Sequence, residues 1–176
     1  MTTMPKLDQD KRFLEAGVQV LSDYLLSKEL FYPLGGDLQR LTIGNLMLAH
    51  RRLTAIGYDT LSNEIDTVRA KWRVAWGQKA SREIHTRLEL WQNFLSDYRA
   101  SPENNADRYP VEVRHRAILQ LLVDDADSTP ELDLLPGLDS KLKGSLIPGE
   151  FVWEKQVAVG FDRVDNWFLF GTLKSK

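Results

Sequence analysis

The chain contains no cysteine. Disulfides, thiolate-bound zinc and a cysteine nucleophile are therefore all excluded. Long apolar runs are missing as well, and nothing approaches the roughly 18 residues of a membrane-spanning helix. Met1 to Asp8 lacks a basic stretch followed by an apolar core, so it does not read as a signal peptide, and a soluble cytoplasmic protein is expected. A large excess of either charge is absent. With 23 Lys and Arg against 25 Asp and Glu, the formal net charge is −2, which argues against a whole-surface polyanion binder. Also missing are a Gly-rich phosphate loop ending in Lys-Ser or Lys-Thr, a dinucleotide fingerprint, a His-Glu-x-x-His pair and a Gly-x-Ser-x-Gly elbow. Familiar nucleotide-using and hydrolytic enzymes lose their support with those motifs.

What is present is helical pattern. From Thr60 to Ala100 there is no proline and one glycine, Gly77, and the run holds three of the five tryptophans. Ile65, Val68, Trp72, Trp76, Ala80, Ile84, Leu88, Trp91, Leu95 and Tyr98 advance by three or four residues. That spacing predicts about nine turns, or roughly 55 Å, with a kink or close helix crossing at Gly77. Before it, an apolar stripe from Phe13 to Leu25 predicts a first helix capped by Asp8 or Asp10 and ended by Pro33 and Gly35-Gly36. Thr42 caps a second helix that closes at Gly57. Pro110 opens a fourth helix carrying Val113, Ala117, Ile118 and Leu121, and a short fifth helix runs from Leu138 or Asp139 to Leu146. The expected fold is all-α: one helical domain over residues 1–176, with the long third helix as spine and residues 150–176 as an aromatic strap on the bundle. Six of 17 aromatic residues fall between Phe151 and Phe170. A small hairpin is the alternative to the strap, but two strands alone are marginal.

Four sets of residues carry candidate chemistry. Phe151, Trp153, Trp167, Phe168 and Phe170 form either core or a surface for a protein partner or for self-association. Arg69, Arg73, Lys79, Arg82 and Arg87 line the third helix beside Trp72 and Trp76, either as a polyanion patch or as a solvated face paired with the acidic stretch Asp124 to Asp139. Glu112 and His115 share a helix face in the manner of carboxylate-bridged di-metal bundles, with His85 and Glu89 to complete the ligands. No second Glu-x-x-His copy exists, and Arg114 and Arg116 flank the histidine, so neither a metal nor another cofactor is expected. The separation of Arg108 and His115 resembles that in helical ribonuclease domains of the HEPN type. The resemblance implies phosphate stabilisation by the arginine and proton transfer by the histidine. Tyr109 follows the arginine, where that family usually has a small polar residue. The leading expectation is a non-catalytic protein-interaction or scaffold module. The alternative is nucleic-acid binding or HEPN-like cleavage, with no membrane partner.

Overall fold

The computed structural model describes residues 5–127 and 129–176, and helices dominate it. Eight are formed among the described residues: α1 (Pro5–Gln19), α2 (Leu21–Leu26), α3 (Ile43–Ala55), α4 (Ser62–Lys71), α5 (Arg73–Ala100), α6 (Pro102–Asn105), α7 (Tyr109–Leu122) and α8 (Leu135–Ser145). Two short strands, β1 (Leu146–Phe151) and β2 (Phe170–Leu173), complete the fold. The all-α bundle with an extended C-terminal segment is what the sequence leads one to expect, but the helices are divided differently.

The first helix breaks at Val20, where φ is −111° and ψ 9°. It already runs at Pro5, so Asp8 sits in its first turn and Asp10 lies within it rather than capping it. The helix also stops earlier than Pro33 requires. Ser27 turns extended, and its hydroxyl donates to the Tyr24 carbonyl at 2.7 Å. Lys79, reaching over from α5, donates to the carbonyls of Ser27 at 2.9 Å and of Glu29. A cation at the C-terminal end of α2 satisfies carbonyls that a helix end leaves without partners.

The 41-residue run from Thr60 to Ala100 is broken at Trp72 (φ −113°, ψ 40°), not at Gly77. The kink brings Arg69 of α4 and Trp76 of α5 onto one carboxylate: Arg69 pairs with Asp125, and the Trp76 indole N–H donates to it at 3.2 Å. Gly77 accommodates the turn after α7, since a Cβ there would stand 3.0 Å from Asp127 Oδ1. The close helix crossing is at Gly44 instead, where a Cβ would meet Ile118 Cγ2 at 2.3 Å and Glu83 Oε2 at 2.4 Å.

α3 forms as its sequence predicts. Thr42 accepts from the Asn45 N–H at 2.9 Å, and Gly57 takes φ +87° at the far end. It packs against α1, α5 and α7, with Leu46, Leu48 and Leu53 fully buried, so this shorter helix shares the role of spine with α5. α5 contributes the longest buried stripe, from Trp76 to Tyr98, and packs mainly on α7.

The C-terminal segment is strand pair and strap at once. β1 and β2 run antiparallel, Leu146 opposite Leu173 and Phe151 opposite Phe170, with an irregularity between Pro148 and Phe151. Gly171 (φ +151°) permits the pairing, because a Cβ there would fall 2.3 Å from the Ile147 carbonyl oxygen. Between the strands the chain straps the bundle: the turn at Lys155–Gly160 packs on α3, the Tyr109 hydroxyl donates to the Phe168 carbonyl, and Trp153 Nε1 donates to the Pro110 carbonyl at 2.8 Å.

Candidate functional site

Charged residues occur on the buried stripes, and they converge where α3, α5 and α7 meet. Glu83 and Arg87 fall in phase with Trp76, Ala80 and Ile84 on α5, so helix geometry turns both inward. The Glu83 carboxylate is fully buried and accepts from Thr42 Oγ1 at 2.8 Å, the Gly44 N–H at 2.8 Å and Arg87 Nε at 3.1 Å. Arg87 Nη2 and Arg114 Nη2 then donate to the same oxygen, Asn45 Oδ1, at 3.0 and 2.9 Å. Arg114 Nη2 also donates to Gln39 Oε1 at 2.9 Å. One amide oxygen thus holds two like-charged guanidiniums together. Burial first, then Arg87, pushes the Arg114 guanidinium down to about 10, which leaves it charged at neutral pH.

A second ion group adjoins the first. Arg52, 1% exposed, donates from Nε to Asp10 and from Nη2 to Glu154, each at 2.8 Å. Its guanidinium also lies 5.6 Å from the Trp153 ring centroid. Burial raises the Asp10 carboxyl above its ordinary value, with Arg52 opposing. Of the two groups only Arg87 was among the sequence candidates, and there as part of a surface patch. The signal was there in phase: Asp10 leads the Phe13 and Gly17 stripe, and Arg52 follows Leu48 and Ala49.

Glu112 joins Arg108 to His115. Arg108 Nη2 donates to Glu112 Oε1 at 2.8 Å, and His115 Nε2 stands 3.7 Å from Glu112 Oε2. Arg108 is exposed and also reaches Asn105 Oδ1 at 2.8 Å and Asp97 Oδ2 at 3.4 Å. His115 Nδ1 lies 3.3 Å from Arg87 Nη1, and burial, reinforced by Arg87 and Arg114, drives its pKa down to about 4. The imidazole is therefore neutral at pH 7. His85 is exposed on α5 and pairs with Glu131 at 3.6 Å, while Glu89 is exposed on the same helix. Among the described residues no three His, Asp or Glu side chains are grouped to hold a metal.

The five basic residues of the long run go separate ways. Arg69 is tied to Asp125, so the acidic stretch does supply an internal partner. Lys79 and Arg87 are buried, Arg82 donates to the Lys28 carbonyl at 3.3 Å from an exposed position, and Arg73 is exposed. Glu83 binds Arg87 rather than Lys79, and Arg116 forms a fork with Asp139, both bonds 2.9 Å, rather than with Glu112.

The aromatic candidates divide by burial. Phe168 is core, beneath Arg116, whose guanidinium is 4.3 Å from its ring centroid. Phe151, Trp153, Trp167 and Phe170 are half-buried. Phe151 joins Trp153, Phe161 and Phe170 with centroids 5.9, 5.7 and 5.3 Å away. Trp167 and Phe170 line a 150 Å³ groove with Leu146, Pro148, Lys143 and Arg163. Both cations lie over the rings, Lys143 4.8 Å from Trp167 and Arg163 5.0 Å from Phe170. Among the described residues no helix is long and apolar enough to cross a membrane. Comparison of the chain with protein-family models, with curated proteins and with solved structures finds no match to any of them.

Proposed function

We propose that this protein is a non-catalytic interaction module whose partner is a protein segment pairing an apolar side chain with acidic neighbours. The observation that carries the reading is the groove between β1, β2 and the end of α8. Its Trp167, Phe170, Leu146 and Pro148 walls suit an apolar anchor, and Lys143 and Arg163 set positive charge at its edge. Aromatic anchors and arginines are the residue types that most often dominate binding energy. The side chains suited to acid–base work support the same reading: Glu83 is engaged by three donors, and His115 stands beside two arginines. The nucleic-acid alternative has weaker support, because Lys79 and Arg87 are buried and Arg69 is neutralised by Asp125.

Selection from a displayed random-peptide library against the full chain tests the proposal. Enriched sequences should combine Asp or Glu with a large apolar residue, and they should lose at least tenfold in affinity for the Lys143→Glu/Arg163→Glu variant. Absence of enrichment sinks it, as do peptides that bind the variant equally well. Oligonucleotide binding that survives this variant and weakens steeply with salt would favour the alternative.

A further inference from the structure

Arg114 stands at the junction of two cavities. The larger, 170 Å³, is bounded by Lys6, Asp10, Gln39 and Arg114 among others. The smaller, 70 Å³, is bounded by Lys6, Arg52 and Arg114 together with Trp153, Leu48 and Val111. Lys6 and Arg114 are walls of both. No carboxylate lines the smaller cavity; its charged walls are three cations.

Arg114 lies within electrostatic reach of Asp10 and Glu83 but pairs directly with neither. Asp10 and Glu154 are both bound to Arg52, and Glu83 is bound to Arg87. Asp37, in the wall of the larger cavity, pairs with Arg12 at 2.8 Å. Arg114 has only the amide oxygens of Gln39 and Asn45, and both of those bonds to described residues leave from Nη2. Among the described residues its Nε and Nη1 have no hydrogen-bond partner. An arginine whose donors meet only amide oxygens keeps the capacity for a charge-assisted bond to a carboxylate or phosphate oxygen.

We propose that the smaller cavity is a binding site for a small oxyanion, a carboxylate or phosphate group held between Arg114, Arg52 and Lys6. Arg114 offers its Nε and Nη1 donors, Arg52 lines the wall with a guanidinium already paired to Asp10 and Glu154, and Lys6 adds its ammonium from the start of α1. Trp153, Leu48 and Val111 provide apolar walls that exclude water and strengthen each charge-assisted bond. The polar body of such a ligand extends past Arg114 into the larger cavity, where Gln9, Gln39 and Asp10 offer hydrogen-bond partners. The site shares no residue with the aromatic groove, so the two stand or fall separately.

Calorimetric titration and thermal melting of the full chain decide the matter, with inorganic phosphate in one arm, succinate in another, and sodium chloride holding ionic strength constant. The expected result is saturable one-to-one binding in at least one arm, with a melting-temperature rise of about 5–10 °C at roughly a hundred times Kd. Which arm responds assigns the ligand to phosphates, to carboxylates or to both. Lys6→Gln, at an exposed position that leaves the core untouched, should weaken binding about tenfold, and Arg114→Gln should abolish it. Lys143→Gln, in the aromatic groove, should bind as the parent does. Lack of saturable binding in both arms overturns the proposal. Undiminished binding by Lys6→Gln does so too, even if Arg114→Gln fails to fold.

Discussion

Glu83 and Arg87 lie one turn apart on α5, and each is nearly inaccessible, so their pairing is unlike a surface i,i+4 bridge. Removing the carboxylate charge leaves Arg87 without its ion partner, beside Arg114 on the same Asn45 oxygen. Glu83→Gln is expected to lower unfolding free energy by about 3–5 kcal/mol, the usual cost of breaking one side of a buried pair. Urea denaturation measures this, and the Glu83→Leu/Arg87→Met double variant should lose less than the two single changes together. His115 makes a pH prediction from the same cluster. Its folded pKa, about 4, lies below the ordinary value of 6.5, so the unfolded chain takes up the proton first. Its contribution is complete above about pH 6.5 and is lost as the pH falls toward 4, on the order of 3 kcal/mol in all. Stability profiles of the parent and His115→Gln should therefore converge in slope above pH 6.5, with the variant flatter below it. Equal slopes through that window would contradict the burial argument.

At the scale of elements, two glycines separate a required approach from a tolerated one. At Gly44 an added methyl collides with Ile118 and with the Glu83 carboxylate that ties α3 to α5. Gly44→Ala should cost at least about 1–3 kcal/mol, the ordinary range for overpacking, and more if the carboxylate is displaced. Gly77→Ala comes tight only against the Asp127 carboxylate oxygen, at 3.0 Å and on an exposed side chain, with the Asp125 carbonyl oxygen at an ordinary 3.5 Å, while gaining up to about 1 kcal/mol of helix propensity. Thermal unfolding should show a large drop for the first and little change or a gain for the second. The contrast also explains what was legible beforehand. Helix phase, the Thr42 cap and the Gly57 terminus depend on neighbours three or four residues away, so the local sequence carries them. The break at Trp72 depends on Asp125, and the end of α2 on Lys79, partners some fifty residues distant. No local pattern encodes those contacts. Asp10, Glu83, Arg87 and Arg52 did leave a local trace, as charges lying in the apolar phase of their helices, but that trace does not name their partners.

For the whole molecule, the open question from the sequence was whether the aromatic tail completes the core or offers a surface, and the fold divides the answer along the chain. Val157, Phe161, Phe168, Leu169 and Leu173 are buried in the same cluster as Trp91 and Ile118. At roughly 1.5–3 kcal/mol for each buried apolar side chain, their loss removes on the order of 8–15 kcal/mol, comparable to the entire stability of an ordinary domain. The strap also holds Tyr109 through the Phe168 carbonyl, and with it the first turn of α7. Deleting everything after Gly149 should therefore abolish cooperative unfolding by circular dichroism and collapse the dispersion of amide resonances. A truncated chain that still melts cooperatively would show that the tail is appended to a self-sufficient bundle. Trp167→Glu tests the other half: its ring is half-buried at the groove, away from the fully buried Phe168, so the variant should keep its fold while losing peptide binding. If it unfolds like the truncation, Trp167 belongs to the core and the groove loses its anchor. If it folds and binds unchanged, the partner sits elsewhere on the molecule.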